Sequence, residues 1–270
     1  MSVEIHPSAL VDPKAQLGAG VRVGPFAMIE AGAQVGDRTS VGSHCEIYRA
    51  ARIGAEVQLY SHAMVGGDPQ HLSYSSDEAC TAQVGDRTMV REFATVHRGT
   101  NQGGAVTRVG ADCLLMCYVH VAHDCLVGDG VILANAVQLA GHVEVGDYAM
   151  IGGITGVHQF SRIGEHAFLG ATSGLNQDLP PYMLAGGYRA TLYGPNIVGL
   201  RRRRFPREVV NALNAAYIAY WRSEQNRKEA LAQIEAEYGH LEEIKRLVAF
   251  IRESKRGVCS AKEREGNVPD

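Results

Sequence analysis

The chain has 270 residues, 46% of them hydrophobic, which is enough to bury a sizeable core. A formal net charge of −3 argues against a general nucleic-acid binder, and no apolar run approaches the roughly 18 residues of a membrane span. The opening MSVEIHPSAL has neither a basic stretch nor an apolar one, so the expected address is the cytoplasm.

From Ile5 an aliphatic residue returns every six positions, through Val11, Leu17, Val23, Ile29, Val35, Val41, Ile47, Ile53, Leu59 and Val65. The register lapses over 67–83, returns at Val84, Val90 and Val96, lapses again over 101–108, and then runs unbroken from Val109 to Leu175. All twenty-six of these positions are Ile, Leu or Val. A period of six is neither a helix face nor simple strand alternation; it is the hexapeptide signature of a parallel β-helix. Three hexads make one triangular coil, and coils stack at about 4.8 Å, so the lapses read as loops thrown outward from a rigid prism. Cys45, Cys113 and Cys125 share the small fifth position and read as buried, and there is no C-x-x-C pair to build a thiolate metal cluster. His44, His62 and His166 fall at the fourth, outward position and read as solvated.

After Pro180-Pro181 the period changes. Residues 1–190 are therefore assigned to the prism and 191–255 to a helical cap, with apolar faces at Val209, Val210, Leu213, Ala216, Tyr217 and Tyr220, at Leu231, Ile234 and Tyr238, and at Leu241, Ile244, Leu247, Val248 and Ile251. The charged stretch 256–270 reads as a disordered tail.

Chemistry concentrates in His120-Val121-Ala122-His123-Asp124 and in His142 and His158. With eighteen residues per coil, Gly141 stacks on His123, setting an imidazole beside backbone that has no side chain. A general base near neutrality and an unobstructed amide N–H are the minimum for acyl transfer. A zinc site has weaker support, because acidic and thiolate partners at ligand spacing are missing. Arg201 to Arg204 form a cationic run that by itself reads as a solvated face, while its place at the junction of prism and cap keeps phosphate binding open.

The segments IHPSALVDP, VHRGT, HVAHDC, LAGHV, GVHQF, QDLPPY and NIVGLRRR, in this order, resemble the UDP-N-acetylglucosamine O-acyltransferases that open lipid A biosynthesis. The resemblance implies a left-handed parallel β-helix with a C-terminal α-helical domain, assembled as a homotrimer with sites between adjacent prisms and needing no cofactor. It implies an (R)-3-hydroxyacyl acyl carrier protein as donor and a UDP-sugar as acceptor. His123 would be the general base, Asp124 its orienting partner and Gly141 the oxyanion donor. Gln70, His71, Ser73, His97, His120, His142, His158 and Gln159 would line the substrate pocket, Asn196, Arg202 and Arg203 would serve the phosphate and carrier end, and Phe168 and Ala171 would gauge acyl length.

Two departures qualify the match. Where the family shows P-Q-D-L-K-Y, this chain has Pro69-Gln70-His71-Leu72-Ser73-Tyr74, losing a carboxylate and a lysine. A different acceptor, such as a 3-amino sugar giving an amide, therefore stays open. Ala171, in place of Gly, predicts a shorter acyl chain. Two further readings compete: a zinc-dependent hexapeptide enzyme, and an assembly scaffold without turnover.

Overall fold

A computed structural model of the chain describes residues 2–75 and 79–263. Short strands, most of two residues, follow one another at the six-residue period from Glu4–Ile5 to Gly174–Leu175 and stack into three parallel sheets. We call them sheet A (eleven strands, from Glu4–Ile5), sheet B (nine, from Leu10–Val11) and sheet C (eight, from Gln16–Leu17). In an undisturbed coil the register is eighteen residues: Glu4 pairs with Arg22 and His120 with Gln138. In each two-residue strand the second side chain points inward, and those of Val41, Ile47, Leu115, Leu133, Leu139 and Ile151 are buried along the axis.

Corners need a backbone that turns sharply, and non-glycine residues supply it in the left-handed region, which costs each of them roughly 1–2 kcal/mol. Along the A–B edge, Phe26, His44, His62, Phe93 and Tyr118 take φ near +60° and stack as one column, with successive ring centroids 4.7–5.1 Å apart. His166 stacks between Tyr148 and Tyr182 on the C–A edge. All three histidines are ladder members; His44 is exposed as expected, whereas His62 and His166 are half-buried rather than solvated, and stacking at about 0.5–1.5 kcal/mol per pair offsets the backbone cost. The fifth-position thiols and hydroxyls also tie coils together: Cys125 Sγ donates to Ala140 O (3.1 Å), and Thr88 Oγ1 to Gly110 O (2.8 Å).

Both insertions are displaced from their sequence reading. Strand Met64–Gly67 runs into the first and Thr81–Val84 begins before its expected end; the second lies between Thr95–His97 and Val106–Val109 and contains a 3-10 turn, Asn101–Gly103. Past Leu175, the hairpin Met183–Gly186 and Thr191–Pro195 extends sheet A, so the helical region starts later than 191. It comprises α1 (Ile197–Arg202), α2 (Arg207–Tyr217), a π-turn (Ile218–Arg222), α3 (Arg227–Tyr238) and α4 (Glu242–Glu253). Helix α1 absorbs the start of the arginine run, which its charge pattern does not announce.

The tail is also corrected, as far as it is described. Val258 and Cys259 are buried, Val258 and Ala261 bridge to Asp178 and Leu192, and Trp221 Nε1 donates to Cys259 O (2.9 Å). Charge composition misses this because two apolar residues suffice to dock the strand. Residues 264–270 lie outside the described part.

Candidate active site

His123 follows the sheet B strand His120–Val121 and sits at the B–C edge. Its Nδ1 lies 2.8 Å from Asp124 Oδ2, and the Asp124 side chain is fully buried. Asp124 takes φ 61°, a left-handed value that aspartate tolerates better than most residues. Its carboxylate accepts from Thr100 N (2.8 Å) and Thr100 Oγ1 (2.7 Å), so the second insertion fixes the group that fixes the imidazole. Gly103 packs so closely on that carboxylate that a Cβ there would stand 2.0 Å from Asp124 Cγ. Thr100 escapes sequence reading because the insertion stretches its separation from Asp124 to 24 residues, hiding their adjacency.

One coil on, a Cβ at Gly141 would fall 2.6 Å from His123 Cε1 and 2.8 Å from Nε2, so the outer nitrogen of His123 lies over bare backbone. Among the described residues, the Gly141 N–H has no intrachain hydrogen bond. His142 and His71 stand edge-on to His123, with centroids 5.2 and 5.3 Å away. His120 is held by Thr95 Oγ1 at 2.7 Å and meets His97 edge-on at 4.8 Å. Burial pushes His97 down to about 4, helped by neighbouring His120 and His123, and burial likewise lowers His120 and His142. These three imidazoles are neutral at pH 7 and can offer both a donor and an acceptor nitrogen.

A groove of about 980 Å³ runs over sheet B from this cluster to the hairpin, lined by Gln70, His71, His120, His123, Gly141, His158 and Gln159 among others. Tyr188 and Arg189, which the repeat pattern could not flag, close its far end. Other expected residues lie elsewhere in a single chain. His142 faces the B–C edge, stacked on Phe160 at 4.4 Å. His97 is behind His120, and Ser73 is exposed on the first loop without lining the groove. Phe168 belongs to sheet A, and Ala171 precedes Thr172 of the groove wall. Asn196 caps α1, accepting from Gly199 N and donating to His166 O, while Arg203 covers the Tyr148 ring at 4.1 Å on the C–A edge, and Arg202 is exposed nearby. For metal, His123, Asp124 and His142 bring ligand atoms within 4.8 Å of one another, so the acidic partner missing from sequence spacing is present. Its oxygens already accept from Thr100 and His123.

The comparisons agree with this geometry. A profile described as UDP-N-acetylglucosamine O-acyltransferase, domain 2, matches residues 178–259, and one for bacterial transferase hexapeptide repeats matches 14–49 and 107–141. An acyl-[acyl-carrier-protein]–UDP-N-acetylglucosamine O-acyltransferase of Trichlorobacter lovleyi is 52% identical over 260 residues, covering 95% of this chain and 99% of the relative. The chain belongs to the UDP-N-acetylglucosamine O-acyltransferase family. A member from Thermodesulfovibrio yellowstonii is 40% identical over 95% of this chain and 99% of its own. The crystal structure of the Moraxella catarrhalis member superposes with a TM-score of 0.91 at 37% identity, covering 94% of this chain and 98% of that one. Membership also gives the hand of the coil: it is a left-handed parallel β-helix, against the general preference for right-handed crossovers.

Proposed function

We propose that this chain transfers an (R)-3-hydroxyacyl group from acyl carrier protein to the 3-hydroxyl of UDP-N-acetylglucosamine, the first step of lipid A biosynthesis. The observation that carries the reading is His123, oriented by buried Asp124 and facing the bare Gly141 backbone at a groove of about 980 Å³. His123 Nε2 removes the hydroxyl proton as the oxygen attacks the thioester carbonyl. The Gly141 N–H stabilises the oxyanion of the tetrahedral intermediate. Collapse expels the thiolate, which takes the proton back from the imidazolium, and Asp124 stabilises that cation while it exists.

One chain supplies only part of such a site. The outward row of sheet A begins polar (Glu4, Arg22, Ser40, Gln58) and becomes apolar from the fifth coil on (Met89, Leu114, Ile132, Met150, Phe168), whereas over the same coils that of sheet C carries Gln83, Arg108, Glu144 and Arg162 beside the single apolar Leu126. A homotrimer with the A–B edge inward sets a neighbour's sheet A against each groove, bringing Phe168 to its wall and Asn196, Arg202 and Arg203 to its mouth. The exposed arginines suit an acidic carrier protein. No described helix is long and apolar enough to cross a membrane, which fits action in the cytoplasm.

The test is an acyl-transfer assay with UDP-N-acetylglucosamine and, in parallel, its 3-amino analogue. Activity on the hydroxyl acceptor is expected, and His123→Ala lowers kcat by about 10²–10⁴-fold. Turnover on the amine alone replaces the acceptor, and no turnover on either overturns the reading. The His123–Asp124–His142 triplet is the geometric support for the zinc alternative, which metal analysis of the purified, active protein decides.

A further inference from the structure

Arg98 stands out among the charged groups. Its residue is 2% exposed, yet it lies next to an insertion rather than in a core network. Its guanidinium pairs with Asp68, whose side chain is 62% exposed, and sits 5.2 Å over the Tyr74 ring; its buried Nε has no hydrogen-bond partner. The backbone joins in, with Arg98 N donating to Gly67 O (3.0 Å). Burying a guanidinium is costly unless a carboxylate answers it. Here the answering carboxylate belongs to the loop, two residues before Gln70 and three before His71. Loop and strand are thus tied at a point chosen by charge, and the tie fixes where Gln70 and His71 enter the groove.

We propose that Arg98 is a positioning residue for the acceptor end: through Asp68 and Tyr74 it holds the first loop so that His71 stands against His123. Neither Arg98 nor Asp68 lines the groove, so the effect is transmitted through the loop. The inference rests on the acyltransferase reading for its kinetic consequence, but its structural half does not. The Tyr74 N–H, which bonds to His71 O at 3.0 Å, reports directly on whether the loop turn is formed.

The informative variant is Asp68→Asn, which changes an exposed side chain and leaves the buried guanidinium an amide oxygen to donate to, where Arg98→Ala could simply unfold the chain. Losing a charge-assisted bond of this kind is expected to raise KM for the nucleotide sugar about ten-fold with kcat changed less than two-fold. Hydrogen exchange over residues 69–75 should accelerate in the same variant, with Asp68→Glu restoring both readouts and the fully exposed Leu72→Ala, as control, moving neither. Wild-type KM and wild-type exchange in Asp68→Asn overturn the proposal, as does equal loss of kcat and KM effect, which would mark a general structural fault. If the wild-type protein acylates no nucleotide sugar, the reading of function fails, while exchange alone still decides whether the tie exists.

Discussion

Gly141 can carry no side chain, because the first carbon would enter the space of the His123 ring. In Gly141→Ala the imidazole must swing away from its Asp124 partner or the coil must shift. Chemistry suffers before stability, since the clash is at the groove and not in the aliphatic stack. We expect kcat to fall by about 10²-fold or more, with the far-UV spectrum unchanged; this is the scale of losing one aligned base or oxyanion donor. The neighbouring imidazoles make a second prediction. Unfolded histidine protonates near 6.5, whereas burial holds His97 down to about 4. Between those values the unfolded chain binds the extra proton, so stability is complete above pH 6.5 and is lost as pH falls towards 4. Melting temperature followed across that window should fall less steeply in His97→Gln than in the wild type, and identical slopes would remove His97 from the explanation. The site was legible in sequence where spacing is preserved, as with His123 and Gly141, eighteen residues apart. It was not legible where an insertion breaks the count, as with Thr100, or where the groove wall comes from beyond the repeat, as with Tyr188 and Arg189.

The elements divide in the same way. Inward Ile, Leu and Val at period six dictate strand, sheet and coil together, because one slip would expose a whole face. The edges follow no such rule: a left-handed corner accepts Phe, His, Tyr, Asp or Gly, and only stacked coordinates reveal the aromatic columns. The last strand-like segment was hidden for another reason, since its charged flanks outweigh Val258 and Cys259 in any composition window. Those two residues close the base of the helical region, where Cys259 O accepts from Trp221 Nε1 and Cys259 N donates to Asp178 O (2.9 Å). Truncation after Gly257 uncovers an apolar pair and leaves the indole N–H and the Asp178 carbonyl without these partners. Leu192 N–H likewise loses Ser260 O, and Leu192 O loses Lys262 N (both 2.8 Å), so the expected loss is roughly 4–8 kcal/mol, from one buried aliphatic side chain and four broken bonds. Urea denaturation at fixed protein concentration measures it, and a loss below about 1 kcal/mol would mean that this segment is only loosely docked.

At the scale of the whole molecule, the three faces of the prism are chemically unequal, and their inequality bears on assembly. Sheet C can face water with its largely charged row, whereas the sheet A row, past Gln58, is a stripe of Met, Leu, Ile and Phe. In the proposed trimer a neighbour's groove would cover that stripe and complete a site whose proposed arginines lie on the far edge of the chain. A carboxylate placed in the stripe must then be buried without a partner, which costs several kcal/mol. Ile132→Asp is accordingly expected to convert trimer to folded monomer by light scattering and to abolish turnover, although residue 132 lies outside the groove lining. A mixing experiment separates shared sites from mere association. His123→Ala and Arg203→Ala chains, each poorly active alone, are unfolded together at equal amounts and refolded. If each site takes His123 from one chain and Arg203 from the next, about one site in four receives both intact groups, and activity returns to roughly a quarter of the wild-type value. If both groups act within one chain, no mixed trimer contains an intact site, and the mixture stays as inactive as its components.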